Sequence, residues 1–204
     1  MSNSTHVDRL EHAWQRIMAW CEQHTPDSVP MLLPPEGQQA IDAAERATGV
    51  AWPLELKHWY SLHGGVTWEK FDGPFLLGFM PASLKSLLER HDMFVNAWID
   101  KPARDGRSHT QLMAEPAGTP AGVYLPCYLP VGLSLGDRCL VLDTRGGSLA
   151  GPILAFDKTA ADRGDTLRWS SLVDLLEDIA EALEHGRPSR SKQVRQRVLR
   201  WGFA

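Results

Sequence analysis

The order in which two hydrophobic periods appear constrains this chain most. Up to about residue 99 the apolar residues recur at three- and four-residue spacing, which marks amphipathic helices. From Val123 onward they come in short runs between glycine-rich turns, which marks strands. Helices first and strands later, without β-α-β alternation, predict an α+β fold. The expected architecture is a mostly antiparallel sheet flanked by helices, in a single domain with N-terminal helices and a C-terminal meander plus helix. At 204 residues the chain suits one domain with a tail and buries enough apolar surface to need no covalent staples.

The elements follow from the same patterns. Val7, Leu10, Trp14, Ile17, Met18 and Cys21 mark a first helix over about 7–24, with Thr5-His6-Val7-Asp8 as its capping box. A second helix covers roughly 36–48, and Gly49 suits the left-handed position just past its end. Trp52-Pro53 opens a third, whose inner stripe is Leu56, Trp59 and Tyr60 and whose stop is His63-Gly64-Gly65. Residues 75–80 read as a short strand and 83–99 as a fourth helix, with His91 inside its apolar stripe. Strands are expected at 124–131, 138–143 and 152–156, with 167–169 as a fourth. Ser170 or Ser171 then caps a helix ending near His185. Residues 100–122 show no period and read as a functional or disordered loop. The domain spans 1–186, with its core in 30–185. A basic tail follows at 187–204, in which Ser191–Trp201 reads as a short basic helix.

Charge is divided unevenly. Six of the 21 Lys and Arg (Arg187, Arg190, Lys192, Arg195, Arg197 and Arg200) fall in the last eighteen residues, with no acid among them. Upstream, 15 bases face 25 acids, a formal charge of about −10 on residues 1–186. Such a body attracts basic partners and repels nucleic acid. The tail alone supports only a weak, sequence-blind contact with nucleic acid. No apolar run approaches the ~20 residues that span a bilayer, and the start lacks a secretory layout. Cys21, Cys127 and Cys139 are odd in number and widely spaced, which fits buried thiols in a reducing compartment. A cytoplasmic protein is expected.

The sequence has no P-loop, HExxH or CxxC, and its one GxSxG string, Gly132-Leu133-Ser134-Leu135-Gly136, precedes an expected strand rather than a helix and reads as a turn. His58 and His63 lie five residues apart, about 500° around a helix, which does not bring two imidazoles to one side. His91 reads as a core histidine with its ring nitrogen satisfied. Cys127 and Cys139 sit on neighbouring expected strands, a placement that allows them to face one another, but no histidine is nearby in sequence to activate either. Asp137, Asp143, Asp157, Asp162 and Asp165 all fall at strand ends or turns, where Asp commonly bonds its own backbone. On an acidic body the same clustering suits contact with a basic partner. Trp68-Glu69, just after the double-glycine turn, is either folded onto the core or an interface anchor. No catalytic residue, metal site or cofactor is expected. The partner-binding candidates are Trp68, Glu69 and the five aspartates.

A resemblance joins these pieces. Leu33-Pro34-Pro35, Ile41 and Glu45, Thr48-Gly49-Val50, Trp52-Pro53, Leu56, Tyr60 and His63-Gly64-Gly65 resemble the opening of the SUKH superfamily. Leu129-Pro130-Val131, Gly136-Asp137, Leu140-Val141-Leu142-Asp143, Gly151-Pro152-Ile153, Phe156-Asp157 and Ser170-Ser171-Leu172 resemble its second half. That superfamily includes fungal cell-wall synthesis regulators of the Smi–Knr type and many bacterial toxin-immunity proteins. The likeness covers about residues 30–185. It departs from the usual pattern at Tyr128-Leu129, where a tryptophan often stands, and in a longer 103–122 stretch. The resemblance implies an α+β domain without a catalytic set, whose bacterial members bind and neutralise toxins, often nucleases, in the cytoplasm. The expected function is therefore an immunity protein that binds a basic toxin. The rival readings are a regulatory interaction module of the Smi–Knr type, or a small-ligand binder or enzyme with the 100–122 loop as a lid.

Overall fold

The computed structural model describes residues 3–66, 76–103, 105–134, 136, 138–149, 151–159, 166–185, 192–195 and 198–201. Helices form where the 3.6-residue period runs: α1 (Asn3–His24), α2 (Gln38–Thr48), α3 (Leu54–Leu62) and α4 (Leu84–Trp98). Most of the expected stripe is buried in α1 (Leu10, Trp14, Ile17 and Cys21) and all of it in α3 (Leu56, Trp59 and Tyr60), whereas α4 buries Leu84, Leu87, His91 and Phe94 and leaves Leu88, Val95 and Trp98 half-buried. Full burial of one such large apolar side chain is worth about 1.5–3 kcal/mol, more than helix propensity supplies. α2 ends at Gly49 with a left-handed φ of 70°. α4 begins at Ser83, whose hydroxyl accepts the Ser86 N–H at 3.2 Å. Ser83→Ala is expected to lower stability by about 1 kcal/mol. That loss reads as a lower urea midpoint at constant slope, and an unmoved midpoint would show the cap to be dispensable.

The start of α1 differs from expectation. The helix is already formed at Asn3, so Thr5 lies inside it and the capping box at Thr5 is overturned. A tertiary contact favours the extra turn, since His6 Nδ1 lies 2.6 Å from Glu55 Oε1 and ties this end of α1 to α3.

Five strands make one antiparallel sheet in sequence order: β1 (Met80–Pro81), β2 (Tyr128–Leu133), β3 (Arg138–Asp143), β4 (Ile153–Asp157) and β5 (Thr166–Trp169). The α+β meander is as read from the sequence. The strand expected at 75–80 is not. Leu76 and Phe79 exchange backbone hydrogen bonds of 3.0 Å across a tight turn. Leu77 (φ 52°) and Gly78 (φ 96°) are left-handed there, and only Met80 and Pro81 join the sheet. Gly78 supplies the conformation that breaks the apolar run.

Register assigns the two faces. Tyr128, Pro130 and Leu133 of β2 stand beside Asp143, Val141 and Cys139 of β3, and Leu154 and Phe156 of β4 continue this face. A bulge between Pro130 and Gly132 leaves Val131 as the extra residue, so Gly132 turns to the other side. α4 covers the first face, its Phe94 ring 5.0 Å from Tyr124 and 5.5 Å from Phe156. Leu140, Leu142, Ile153 and Trp169 lie on the opposite face. There α6 (Leu172–His185) packs, and its Asp178 accepts the Trp169 Nε1–H at 3.2 Å. Ser171 caps α6 by accepting the Asp174 N–H at 3.1 Å. α1 runs parallel to α6: Arg9 binds Glu177 and Arg16 binds Glu184, an advance of seven residues on both helices.

Two segments differ from their sequence readings. The 100–122 loop contains a short helix, α5 (His109–Met113), and buries Ala103, Leu112, Ala117 and Ala121. The tail forms an antiparallel ribbon, β6 (Lys192–Arg195) with β7 (Val198–Trp201), in place of the expected basic helix. Register pairs Val194 with Leu199 and Arg195 with Val198, consistent with the strand preference of valine over a weak helical period. β7 lies against a 3-10 helix at Pro26–Met31. Among the described residues no helix is long and apolar enough to cross a membrane.

Candidate interaction surface

Of the residues singled out in the sequence, Trp68, Glu69, Asp137, Asp162 and Asp165 lie outside the described residues. Asp157 ends β4 and is half-buried, and its Oδ1 accepts the Thr159 N–H (2.9 Å) and hydroxyl (2.7 Å). It therefore performs turn chemistry while keeping part of its surface open. In an antiparallel meander the ends of β2 and β4 point the same way. Asp157 thus stands at the end of the sheet where β2 gives way to β3 and β4 to β5.

Asp143 is a correction. It lies at the opposite end, where β3 leads toward β4, and its exposure is 0%. The folded surface does not present it. The cause is Arg145, itself 6% exposed, whose Nε sits 3.1 Å from both carboxylate oxygens and whose Nη2 is 2.7 Å from Oδ2. Burial is the largest single influence and opposes the Arg145 charge, but the hydrogen bond to Asp143 and the electrostatic influence of Tyr128, Asp143 and Cys127 together outweigh it and hold the guanidinium above the ordinary arginine pKa. The remaining donors reach the carbonyls of Leu112 (2.9 Å) and Thr119 (2.6 Å). Asp143 also accepts the N–H groups of Gly118 (2.8 Å) and Arg145 (3.0 Å). Sequence reasoning missed Arg145. The signal was present, because Asp and Arg two apart at the end of an apolar strand fall on one face.

Other groups capable of chemistry are built into the framework. His91 Nε2 lies 2.9 Å from the Pro126 carbonyl, the satisfied core histidine expected. His63 is buried between Trp14 and Trp59, at ring distances of 4.7 and 3.9 Å, and its Nδ1 accepts the Gly65 N–H at 2.8 Å. Burial pushes its pKa down to about 3. His58 turns away toward Glu11 (3.5 Å), so the two histidines do not converge. Cys127 and Cys139 do not face each other: Cys139 stands beside Leu133, and Cys127 precedes β2 at the Asp143 end. Burial raises the thiol pKa to about 11 at Cys21 and about 12 at Cys127, and higher still at Cys139. Buried, protonated thiols are poor nucleophiles. Among the described residues no three His, Cys, Asp or Glu side chains are grouped to hold a metal ion.

The sheet edges limit how a partner can bind. On the β1 side, Val66 donates to the Pro81 carbonyl at 3.1 Å, and Leu33 exchanges hydrogen bonds with Gly64 and Gly65, so that edge is covered. β5 is four residues long, and its register leaves Arg168 unmatched between Trp169 and Leu167. A short, bulged edge carrying a cation discourages addition of a further strand. What this sheet exposes is therefore side chains rather than an open strand edge, among them Leu167 at 45% exposure. Compared with known proteins, the chain matches no family model, and no curated protein matches its sequence.

Proposed function

We propose that this chain is a non-catalytic binding protein that neutralises a basic protein toxin by direct contact in the cytoplasm. The observation that carries the reading is the charge partition, with about −10 on residues 1–186. A body of that charge speeds encounter with a cationic protein and disfavours nucleic acid. The resemblance to SUKH immunity proteins supplies the biological class. The contact uses acidic side chains at the end of the sheet marked by Asp157, and Asp143 takes no part because it is buried.

Co-expression with the product of an adjacent gene tests this. The expected result is a stable complex, loss of the toxin's activity, and affinity that falls as salt rises. Asp157→Lys should weaken that complex about tenfold while leaving the thermal midpoint within a few degrees. If no neighbouring gene product binds even at low salt, the reading fails.

A further inference from the structure

Residues 105–122 cover part of the sheet face that carries Tyr128 and Asp143, and they are cross-linked among themselves. Arg107 binds Asp105 (2.7 Å) and both oxygens of Glu115 (2.6 and 2.7 Å), and it donates to the Pro120 carbonyl (3.2 Å). Ser108 and Gln111 form a reciprocal capping box on α5. Near the two ends stand Gly106 (φ 84°) and Gly122 (φ 71°), each with open space where a Cβ would lie. Both hold the left-handed φ that glycine adopts without steric cost, and glycine is the residue freest to leave it.

Four backbone groups of this segment bind Asp143, Arg145 and Gly146. Leu112 and Thr119 offer carbonyls to Arg145, Gly118 offers its N–H to Asp143, and the Ala117 N–H reaches the Gly146 carbonyl at 2.9 Å. All four groups are neutral backbone. The ion pair lies wholly on the sheet side, because Asp143 and Arg145 bind each other directly. Lifting the segment therefore leaves both charges paired, and water can replace each lost backbone partner. Its buried apolar residues are mostly small: Ala117 and Ala121 beside a single Leu112. α1 and α6, by contrast, are locked by large side chains and two arginine–glutamate pairs.

We propose that residues 105–122 are a hinged lid that opens as one unit about Gly106 and Gly122, uncovering Asp143 and Cys127 while the rest of the domain stays folded. Cys127 reports the motion because its Sγ lies 3.9 Å from Asp143 Oδ1. Cys21, in α1, and Cys139, on the face covered by α4, serve as controls.

The test is native-state labelling of the wild-type chain with an aromatic disulfide reagent at increasing urea, with the labelled cysteines identified by peptide mass spectrometry. Cys127 is expected to react at least about tenfold faster than Cys21 and Cys139, with a shallow urea dependence typical of local opening. The amides of Ala117 and Gly118 should exchange with the same opening equilibrium. Two results overturn the proposal. One is reaction of all three thiols together on a steep urea slope. The other is early reaction of Cys127 while those two amides stay protected.

Discussion

Arg145→Met is expected to destabilise the domain by about 3–5 kcal/mol, because it strands the buried Asp143 carboxylate without its counter-charge. The loss is large against the ~5–15 kcal/mol that holds a domain together. Asp143 would retain the N–H donors of Gly118 and residue 145 and the weak Cys127 thiol contact, while the Leu112 and Thr119 carbonyls would lose theirs. Arg145→Lys should recover part of the stability, since an ammonium restores charge but not the planar fork that serves a carboxylate and two carbonyls together. Asp143→Leu combined with Arg145→Met should be less harmful than either single change, because no unpaired charge remains. Urea unfolding followed by circular dichroism measures all three. Arg145→Met within about 1 kcal/mol of wild type would show that the pair is not a fixed part of the interior.

Acid should destabilise the protein through His63. Its folded pKa of about 3 lies below the unfolded value of 6.5, because burial disfavours the imidazolium. The unfolded chain therefore binds the proton more readily. The contribution of neutral His63 is fully present above pH 6.5 and is lost as pH falls toward the folded value. At 1.36 kcal/mol per pH unit, roughly 2–3 kcal/mol disappears between pH 6.5 and 4.5. His63→Asn keeps an acceptor for the Gly65 N–H but cannot titrate. It should start less stable, from the space left beside Trp14 and Trp59, and lose little further stability over that interval. A wild-type stability curve as flat as the variant's from pH 6.5 to 4.5 would refute the assignment to His63.

The candidate site was legible only in part. Asp143 was recognised as a strand-end acid, yet a strand end reads the same whether water or an arginine lies beyond it. Arg145 turns it inward, and the partners that make this favourable come from residues 112–119, far off in sequence. The 100–122 loop was opaque for the same reason: its order comes from two arginines rather than from any hydrophobic period. The two cysteines failed differently, through register. Starting β2 at Tyr128 and inserting the bulge at Val131 places Cys127 and Cys139 at opposite ends of their strand pair. Residues 75–80 misled because an apolar run does not reveal the backbone sign that Leu77 and Gly78 adopt.

By itself the sequence determined the α+β class, the order of the meander strands, the left-handed stop at Gly49, a serine cap at 170 or 171, and the uneven charge, because these follow from local pattern or from composition alone. Only the tertiary structure decided which face each strand presents, that Asp143 is interior, and that the tail pairs as a ribbon. Those outcomes turn on contacts between distant segments, where a single bulge or one buried guanidinium outweighs any local preference.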